Sequence, residues 1–267
     1  MRGAMPREFM MRTTMLVTCA AAVATAASSA NAALTTIDGF TASSLNLSSS
    51  NGTYGSSGFV DDAQNAQFLP LAGSNNRRRV SLNDTGFNGS TQSHSVTSSA
   101  NGSMTDSGSI SWVSNGSFNG GGCGTQFDYG NNQYYTGTNV NLSAYTGFRV
   151  VGSGSLSETT TTDALRNAYV QATITDSAGK TAARQINLSA GALGNFDFDF
   201  STLTVQSGFN WSSVKSIRYF FTIGGGNFGS TGSRSYTYTY TGMQLVPAPG
   251  ALALLGAAGL VGSRRRR

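Results

Sequence analysis

The sequence predicts an all-β protein, and three observations support this. Between residues 33 and 246 the chain is rich in Ser, Thr, Gly, Asn and aromatic residues, and its only proline there is Pro70. No long apolar pattern at helical spacing occurs in this region. Tyr and Thr alternate through 236–241 and Phe alternates with Asp through 196–200, so each residue type falls on one face of a strand.

We expect about nine strands joined by short turns. The segments 169–175 and 181–188 flank residues 176–180, whose length and composition are typical of a hairpin connection. An irregular arm is expected at 43–58, and a long glycine-rich loop at 114–132. The other strand candidates are 79–82, 93–97, 109–113, 147–151, 196–200, 216–223 and 235–241.

The strand succession resembles a known class of sandwich domains. The segments 141–150, 170–179, 198–200 and 214–218 look like the corresponding strands of jelly-roll carbohydrate-binding modules and galactose-binding-like sandwiches. The resemblance covers roughly half of the body of the chain. It implies one jelly-roll-like antiparallel β-sandwich domain at 33–245, a size that single all-β domains commonly reach.

The C-terminal segment 246–267 has three parts. A Pro-x-Pro motif precedes an apolar run at 251–262, and four arginines follow. This order resembles the PEP-CTERM sorting signal of exported bacterial proteins, with Ala248 where an acidic residue is usual. The resemblance implies cleavage by an exosortase. The sorting residues that it implies are Val246, Pro247, Ala248, Pro249, Gly250, Arg264, Arg265, Arg266 and Arg267.

The apolar run at 251–262 is expected to form a short hydrophobic helix that anchors the chain only transiently. It is shorter than the roughly 20 residues that span a bilayer comfortably. The positive-inside rule places the arginines on the cytoplasmic side and Pro247 on the outer side. The alternative is a buried core helix followed by a disordered basic end.

The N-terminal segment has the pattern of a signal peptide. Three arginines precede an apolar stretch at 15–27, and the small residues Ala30 and Ala32 follow it. We expect a signal peptidase to cleave between Ala32 and Ala33, so that residues 1–32 are removed. The protein would then be exported through the inner membrane.

The positive charge of the chain belongs mainly to its ends. The formal net charge is +5, from 17 basic and 12 acidic residues. Seven basic residues and one acidic residue lie in the two terminal signals, which leaves 10 basic and 11 acidic residues in the body. A nearly neutral body gives no basic surface for a nucleic acid. The run Arg77-Arg78-Arg79 is more typical of solvated charges than of a binding site.

No catalytic residue is expected. The body offers one histidine, His94, and one cysteine, Cys123, too few for a zinc site or a cysteine-based centre. Cys123 has no partner for an intramolecular disulfide. It is either a small buried residue or an exposed thiol, and its glycine-rich setting favours the exposed thiol.

A polysaccharide hydrolase needs two carboxylates. Glu158 and the Asp197–Asp199 pair keep that less favoured alternative open.

Calcium is the only metal for which the sequence offers candidates. Asp61 and Asp62 form an adjacent pair in an expected loop, and loop carboxylates are ligands that calcium prefers. No repeat spacing organises them with other acidic residues. A structural calcium ion is therefore a hypothesis, and solvated turn residues are the favoured interpretation.

Sugar binding would use exposed aromatic rings. Tyr134 and Tyr135 are the strongest surface candidates together with Tyr129, because 128–137 has the composition of a loop. The two tryptophans are further candidates, but both also fit a core. The complete set is Tyr129, Tyr134, Tyr135, Trp112 and Trp211.

These patterns together favour an exported protein of the cell surface or extracellular matrix. Its expected role is structural or adhesive, without catalysis and without a cofactor other than the calcium considered above. Its expected partners are signal peptidase and exosortase. The alternative is a lectin-like carbohydrate-binding module that binds extracellular polysaccharide.

Overall fold

A computed structural model provides the structure of the protein. It describes residues 34–40, 45–51, 57–65, 77–85, 90–99, 101–112, 121–130, 139–160, 168–225 and 231–248. The expected signal peptide, its cleavage residues and the tail from Pro249 onward lie outside the described residues. The chain divides into two units, Thr35–Leu245 and the combined segments Met1–Leu34 and Val246–Arg267. Within the described ranges, no helix has the length and apolarity that crossing a membrane requires.

The described residues contain fifteen strands and two short 3-10 helices, Phe200–Thr202 and Trp211–Ser213. The strands are β1 (Thr35–Asp38), β2 (Leu45–Asn51), β3 (Ser57–Asn65), β4 (Arg77–Thr85), β5 (Ser90–Ser99), β6 (Ser103–Trp112), β7 (Gly121–Gly130), β8 (Tyr145–Thr160), β9 (Tyr169–Asp176), β10 (Thr181–Asn187), β11 (Gly191–Leu193), β12 (Phe196–Asp199), β13 (Thr204–Val205), β14 (Val214–Gly225) and β15 (Gly232–Pro247).

The strands form two antiparallel sheets. Sheet 1 has the order β11-β8-β15-β6-β5-β2, with β1 added on β15 and β12 on β8. Sheet 2 has the order β13-β10-β9-β14-β7-β4-β3. Their apolar inner faces share one hydrophobic core. The fold is therefore the expected all-β, jelly-roll-like sandwich.

Alternation along the strands is confirmed where the sequence predicted it. Tyr236, Tyr238 and Tyr240 of β15 are buried, and the threonines between them face outward. In β12, Phe196 and Phe198 are likewise buried between exposed aspartates. A one-residue shift of either strand would expose its aromatic side chains, so burial fixes the register.

Aromatic rings from both sheets fill the core. The rings of Phe221 in β14 and Tyr236 in β15 stack with centroids 4.4 Å apart. Phe127 in β7 meets Tyr240 edge to face at 4.9 Å. Burying one large apolar side chain contributes roughly 1.5–3 kcal/mol, and aromatic pairs add to this. Most of the aromatic side chains of the described strands therefore lie in the core.

The predicted hairpin at 176–180 joins β9 to β10, as expected. Asp176 ends β9, and its carboxylate accepts hydrogen bonds from the backbone N–H groups of Ala178 and Lys180 at 2.9 and 2.8 Å. Its second oxygen accepts from the Asn210 N–H at 3.0 Å. Burial alone would raise the pKa of Asp176, but these backbone donors lower it. The charged carboxylate therefore holds the turn against the segment that begins the second 3-10 helix.

Two loop predictions were wrong. The arm expected at 43–58 contains β2 and the beginning of β3, and the loop expected at 114–132 contains β7. Glycines that suggested a loop are instead required by packing. A Cβ atom at Gly124 would lie 2.6 Å from Cζ of Phe220, whose ring covers this position from the neighbouring strand β14. An aromatic ring over a strand glycine supplies the packing that the glycine lacks.

Cys123 lies in β7 and is completely buried, so the interpretation as an exposed loop thiol was wrong. Its Sγ donates to the carbonyl oxygen of Ser109 in sheet 1 at 3.3 Å. Burial raises the pKa of the Cys123 thiol, and the negative charges of Asp84 and Asp106 raise it further. The thiol is therefore neutral and shielded from solvent.

We predict that a thiol reagent modifies Cys123 only after unfolding, because the reactive thiolate is disfavoured and inaccessible in the fold. The measurement is the rate of reaction with an aromatic disulfide reagent in a Cys19→Ser background, with and without denaturant. Rapid stoichiometric reaction of the folded protein would contradict the buried position.

Candidate functional site

The two sheets meet at a buried polar cluster centred on His94, the only histidine of the chain. Nδ1 of His94 lies 2.6 Å from Oδ1 of Asp84. Nε2 lies 3.0 Å from Oδ1 of Asp106 and 2.8 Å from the Thr125 hydroxyl. Asp106 also accepts a hydrogen bond from the Tyr236 hydroxyl at 2.7 Å. These five residues, the His94 cluster, join β4 and β7 of sheet 2 to β5, β6 and β15 of sheet 1.

The charges of the His94 cluster favour a protonated imidazole. Burial alone would lower the pKa of His94, but hydrogen bonds to Asp106 and Asp84, together with attraction to both carboxylates, raise it to about 9. His94 is therefore an imidazolium at neutral pH. The side chains of all three residues are fully buried, so water does not screen the interaction.

The His94 cluster has a structural role. No side chain of it reaches the surface, so a substrate cannot contact its acid and base groups. Ligand atoms of Asp84, His94 and Cys123 lie within 4.8 Å of one another, which brings a metal-binding donor set together. Nδ1 of His94 is already bonded to Asp84, however, and the Cys123 thiol to a backbone carbonyl. The observed arrangement is that of an ion pair that fastens one sheet to the other.

A hydroxyl-rich surface occupies the outer side of sheet 1. In β5, in β6 and in β15 as far as Thr241, every second residue points away from the core, and these outward positions hold serine or threonine. We call this surface the hydroxyl face. Its members are Thr91, Ser93, Ser95 and Thr97 of β5, Thr105, Ser107, Ser109 and Ser111 of β6, and Ser233, Ser235, Thr237 and Thr239 of β15.

Strand register aligns the hydroxyl face into rows that cross the sheet. Each serine or threonine of β6 lies directly between one of β5 and one of β15. The four rows are Thr91-Ser111-Ser233, Ser93-Ser109-Ser235, Ser95-Ser107-Thr237 and Thr97-Thr105-Thr239. Neighbouring strands lie about 4.8 Å apart, and successive rows roughly 7 Å apart. The result is a regular array of hydroxyl groups.

Hydrogen bonds between side chains order this array. The hydroxyls of Thr91 and Ser111 lie 2.6 Å apart, and Ser107 donates to Thr237 at 3.2 Å. The row at Ser233 continues onto β8, where its hydroxyl lies 2.6 Å from that of Thr159. These bonds join cross-strand pairs of the hydroxyl face and hold their side chains in place.

A shallow depression lies at one end of the hydroxyl face. Its volume is about 350 Å³, at the lower limit of common ligand sites. The first two rows supply its six hydroxyl groups, from Thr91, Ser93, Ser109, Ser111, Ser233 and Ser235. Arg234 also borders it, but its guanidinium is buried and bonded to Glu158 at 2.8 Å. The outward residues of β5, β6 and β15 within the described ranges carry no charge.

The structure does not support most of the aromatic candidates for sugar binding. Trp112 is 1% exposed and Tyr129 is 0% exposed, so both belong to the core. They were misassigned because Trp112 alternates with outward serines in β6, and Tyr129 lies in a strand rather than a loop. Trp211 is half-buried and stacks on Phe200 at 4.5 Å. Tyr134 and Tyr135 lie outside the described residues.

The other sequence candidates have structural partners or unexpected positions. Asp61 and Asp62 lie within β3, paired with β4, not in the expected loop. Asp197 forms an ion pair with Arg149. Asp199 caps the first 3-10 helix by accepting from the Ser201 N–H at 2.8 Å. Glu158 bonds to Arg234, as described above.

Of the expected sorting motif, the described residues include only Val246, Pro247 and Ala248. Val246 and Pro247 are the last residues of β15 and are half-buried. The first proline of the Pro-x-Pro motif therefore ends a strand. Pro249, Gly250 and the four terminal arginines lie outside the described residues, and exosortase recognition stays a prediction.

Sequence reasoning missed both the His94 cluster and the hydroxyl face. The signal for each was period-two alternation. His94 shares its parity with Val96 in β5, and Asp106 shares its parity with Met104 and Ile110 in β6, so both polar residues point inward. The serines and threonines at the other parity were interpreted as a property of composition instead of a surface.

Comparisons with known proteins add a fold likeness. No protein-family model matches the chain, and no curated protein matches it. Similar solved structures include an exo-β-agarase at 10% identity and TM-score 0.28, covering 60% of this chain and 23% of that one. Another is a structure of carbohydrate-binding modules from the β-sandwich superfamily, at 7% identity and TM-score 0.30, covering 70% of this chain and 62% of that one.

A third similar structure is a family 12 xyloglucanase from Bacillus licheniformis, at 12% identity and TM-score 0.34. It is matched over its full length and 76% of this chain. The chain spans about a fifth of the length of the agarases that it matches. At these TM-scores, the likeness is limited to antiparallel strands packed in two layers and carries no functional argument.

We predict that stability falls as pH rises above neutrality. The folded state keeps the proton of His94 up to about pH 9, whereas the unfolded state releases it near 6.5. The contribution is complete below pH 6.5 and is lost as pH rises through 9, a decrease on the order of 3 kcal/mol in the free energy of unfolding. Denaturant titrations across this range measure it.

The control for this prediction is His94→Gln, which keeps hydrogen bonding but cannot carry the charge. The variant should be less stable at pH 6.5 and should lose most of the decrease between pH 6.5 and 9. An unchanged slope in His94→Gln would show that another group titrates.

Proposed function

We propose that this is an exported, non-catalytic protein of the cell surface or extracellular matrix whose hydroxyl face binds polysaccharide. The observation that carries the proposal is the register of β5, β6 and β15, which aligns twelve serine and threonine side chains in four uncharged rows. Lys, Arg, Glu and Asp are mostly exposed in folded proteins, yet these four rows contain none of them. A broad neutral surface of hydroxyl groups is suited to a partner that is itself covered by hydroxyl groups.

The chemistry of the hydroxyl face supports adhesion to sugars. Each serine or threonine hydroxyl is one donor and accepts up to two hydrogen bonds, as does each sugar hydroxyl. The strands fix the positions of these groups, so little backbone entropy is lost on binding. The depression at Thr91, Ser109 and Ser235 gives one concave place where a sugar unit could make several contacts.

A non-catalytic role fits the carboxylates of the described residues. Glu158 bonds to Arg234, Asp197 to Arg149 and Asp199 to Ser201, so each carboxylate already has a structural partner. The acid and base groups of the His94 cluster are buried. We therefore favour a binding role over a polysaccharide hydrolase.

The terminal signals support an extracellular location. The signal-peptide pattern at 1–32 and the PEP-CTERM-like tail at 246–267 fit export followed by exosortase processing. Signal peptidase and exosortase are then the processing partners. The protein would cross the inner membrane, be held briefly by the segment 251–262, and reach the surface or matrix.

We predict that charge introduced on the hydroxyl face weakens retention by polysaccharide. Ser93→Lys with Ser235→Lys places two ammonium groups in one row, and their long side chains also cover the rows on either side, so a sugar bound to any of these rows would have to desolvate them. Affinity electrophoresis in polysaccharide-loaded gels should show at least a tenfold loss of affinity.

The matched control is Gln185→Lys with Thr204→Lys, which adds the same charge at exposed positions on the edge of sheet 2. It should bind as the unmodified protein does. Equal losses in both variants, or no retention of the unmodified protein by any polysaccharide, would contradict the proposed function.

A further inference from the structure

We propose that the ligand is an uncharged, extended polysaccharide chain that lies across the strands, along the rows of the hydroxyl face. This inference rests on the proposed function and adds the class and orientation of the ligand. It follows from the geometry of the rows, the hydrogen bonds within them and the absence of charge among their described side chains.

The first step is the spacing of the hydroxyl groups. Along a row the groups are one strand apart, about 4.8 Å, whereas along a strand they are roughly 7 Å apart. The shorter distance is close to the length of one pyranose unit in an extended chain. A polysaccharide that crosses the strands therefore presents about one sugar to each strand. The sugar repeat of a chain parallel to the strands does not match the spacing of the hydroxyl groups along a strand.

The second step is the length of the rows. Ser93, Ser109 and Ser235 continue onto β2, because Ser50 lies directly opposite Ser93. The next row likewise gains Ser48, which lies opposite Ser95. Both serines of β2 are exposed. The rows thus extend onto β2, the edge strand of sheet 1, and offer a long chain further hydroxyl groups.

The third step is the number of hydrogen-bond donors and acceptors that each row leaves for a ligand. Cross-strand pairs such as Thr105 and Thr239, whose hydroxyls lie 3.2 Å apart, use one donor between them. One hydroxyl hydrogen and several lone pairs of each pair remain for a ligand. A paired hydroxyl can rotate to donate or accept, so the row tolerates either role from a sugar hydroxyl. Recognition of this kind needs no aromatic platform, and the buried positions of Trp112 and Tyr129 agree with that.

The fourth step concerns charge. An acidic polysaccharide would bring carboxylates or sulfates to a surface whose described outward side chains hold no cation. Arg234 lies beneath the first rows, but its guanidinium is 4% exposed in the side chain and pairs with Glu158. Desolvating an anion without a partner is costly, so the hydroxyl face selects for neutral chains.

Two matched triple variants test the orientation. The strand variant Ser107→Ala, Ser109→Ala, Ser111→Ala interrupts three rows at their centre. The row variant Ser93→Ala, Ser109→Ala, Ser235→Ala removes one row and leaves its neighbours intact. Each variant replaces three serines, and melting curves of both must match those of the unmodified protein before binding is compared.

Affinity electrophoresis with a neutral β-glucan and with an acidic polymer such as polygalacturonate supplies the readout. We expect at least a tenfold loss of glucan affinity in the strand variant and less than about a threefold loss in the row variant. Binding of the glucan should be insensitive to salt, because no ion pairs form.

An equal or larger loss in the row variant would overturn the crossing orientation. Preference for the acidic polymer, with binding that weakens in salt, would overturn the neutral ligand class. Both outcomes leave the proposed function standing, since the protein still binds polysaccharide through this face. Absence of binding to either polymer would instead remove the proposed function itself.

Discussion

The structure depends on the ion pair between His94 and the two carboxylates of Asp84 and Asp106. This pair joins the sheets at the centre of the core, where no solvent screens it. Removing one partner of a buried ion pair costs roughly 3–5 kcal/mol, because the other charge is left without compensation. Because these charges must stay paired in the core, Asp84, His94 and Asp106 face inward in β4, β5 and β6.

That inward alignment determines the outer surface. Because His94 and Asp106 point to the core, their neighbours in sequence point outward. The same alternation then places every second residue between Gln92 and Thr97 in β5, and between Met104 and Trp112 in β6, on the outer face. The same holds for β15, whose buried tyrosines require its threonines to face out. The hydroxyl face is therefore a consequence of the same alternation that builds the core.

Much of the fold could be predicted from alternation, and much of the site could not. The tyrosines of β15 and the phenylalanines of β12 identified their strands because large apolar side chains leave one face unambiguous. β7 was missed because its glycines have no side chain to show a period, and Phe220, which packs over Gly124, is distant in the sequence. The His94 cluster joins residues of the consecutive strands β4 to β7 with Tyr236 of β15. Alternation can show that His94 and Asp106 point inward, but it cannot show which residues of the other sheet they meet.

The central claim is that an uncharged surface of β5, β6 and β15 binds polysaccharide while the core beneath it stays fixed. The most direct measurement is NMR mapping of backbone amides during titration with a neutral oligosaccharide. The account predicts that shifts concentrate in β5, β6 and β15, with the His94 ring signals unchanged. Shifts that concentrate instead around Trp211 and Phe200, at the half-buried aromatic stack, would contradict it.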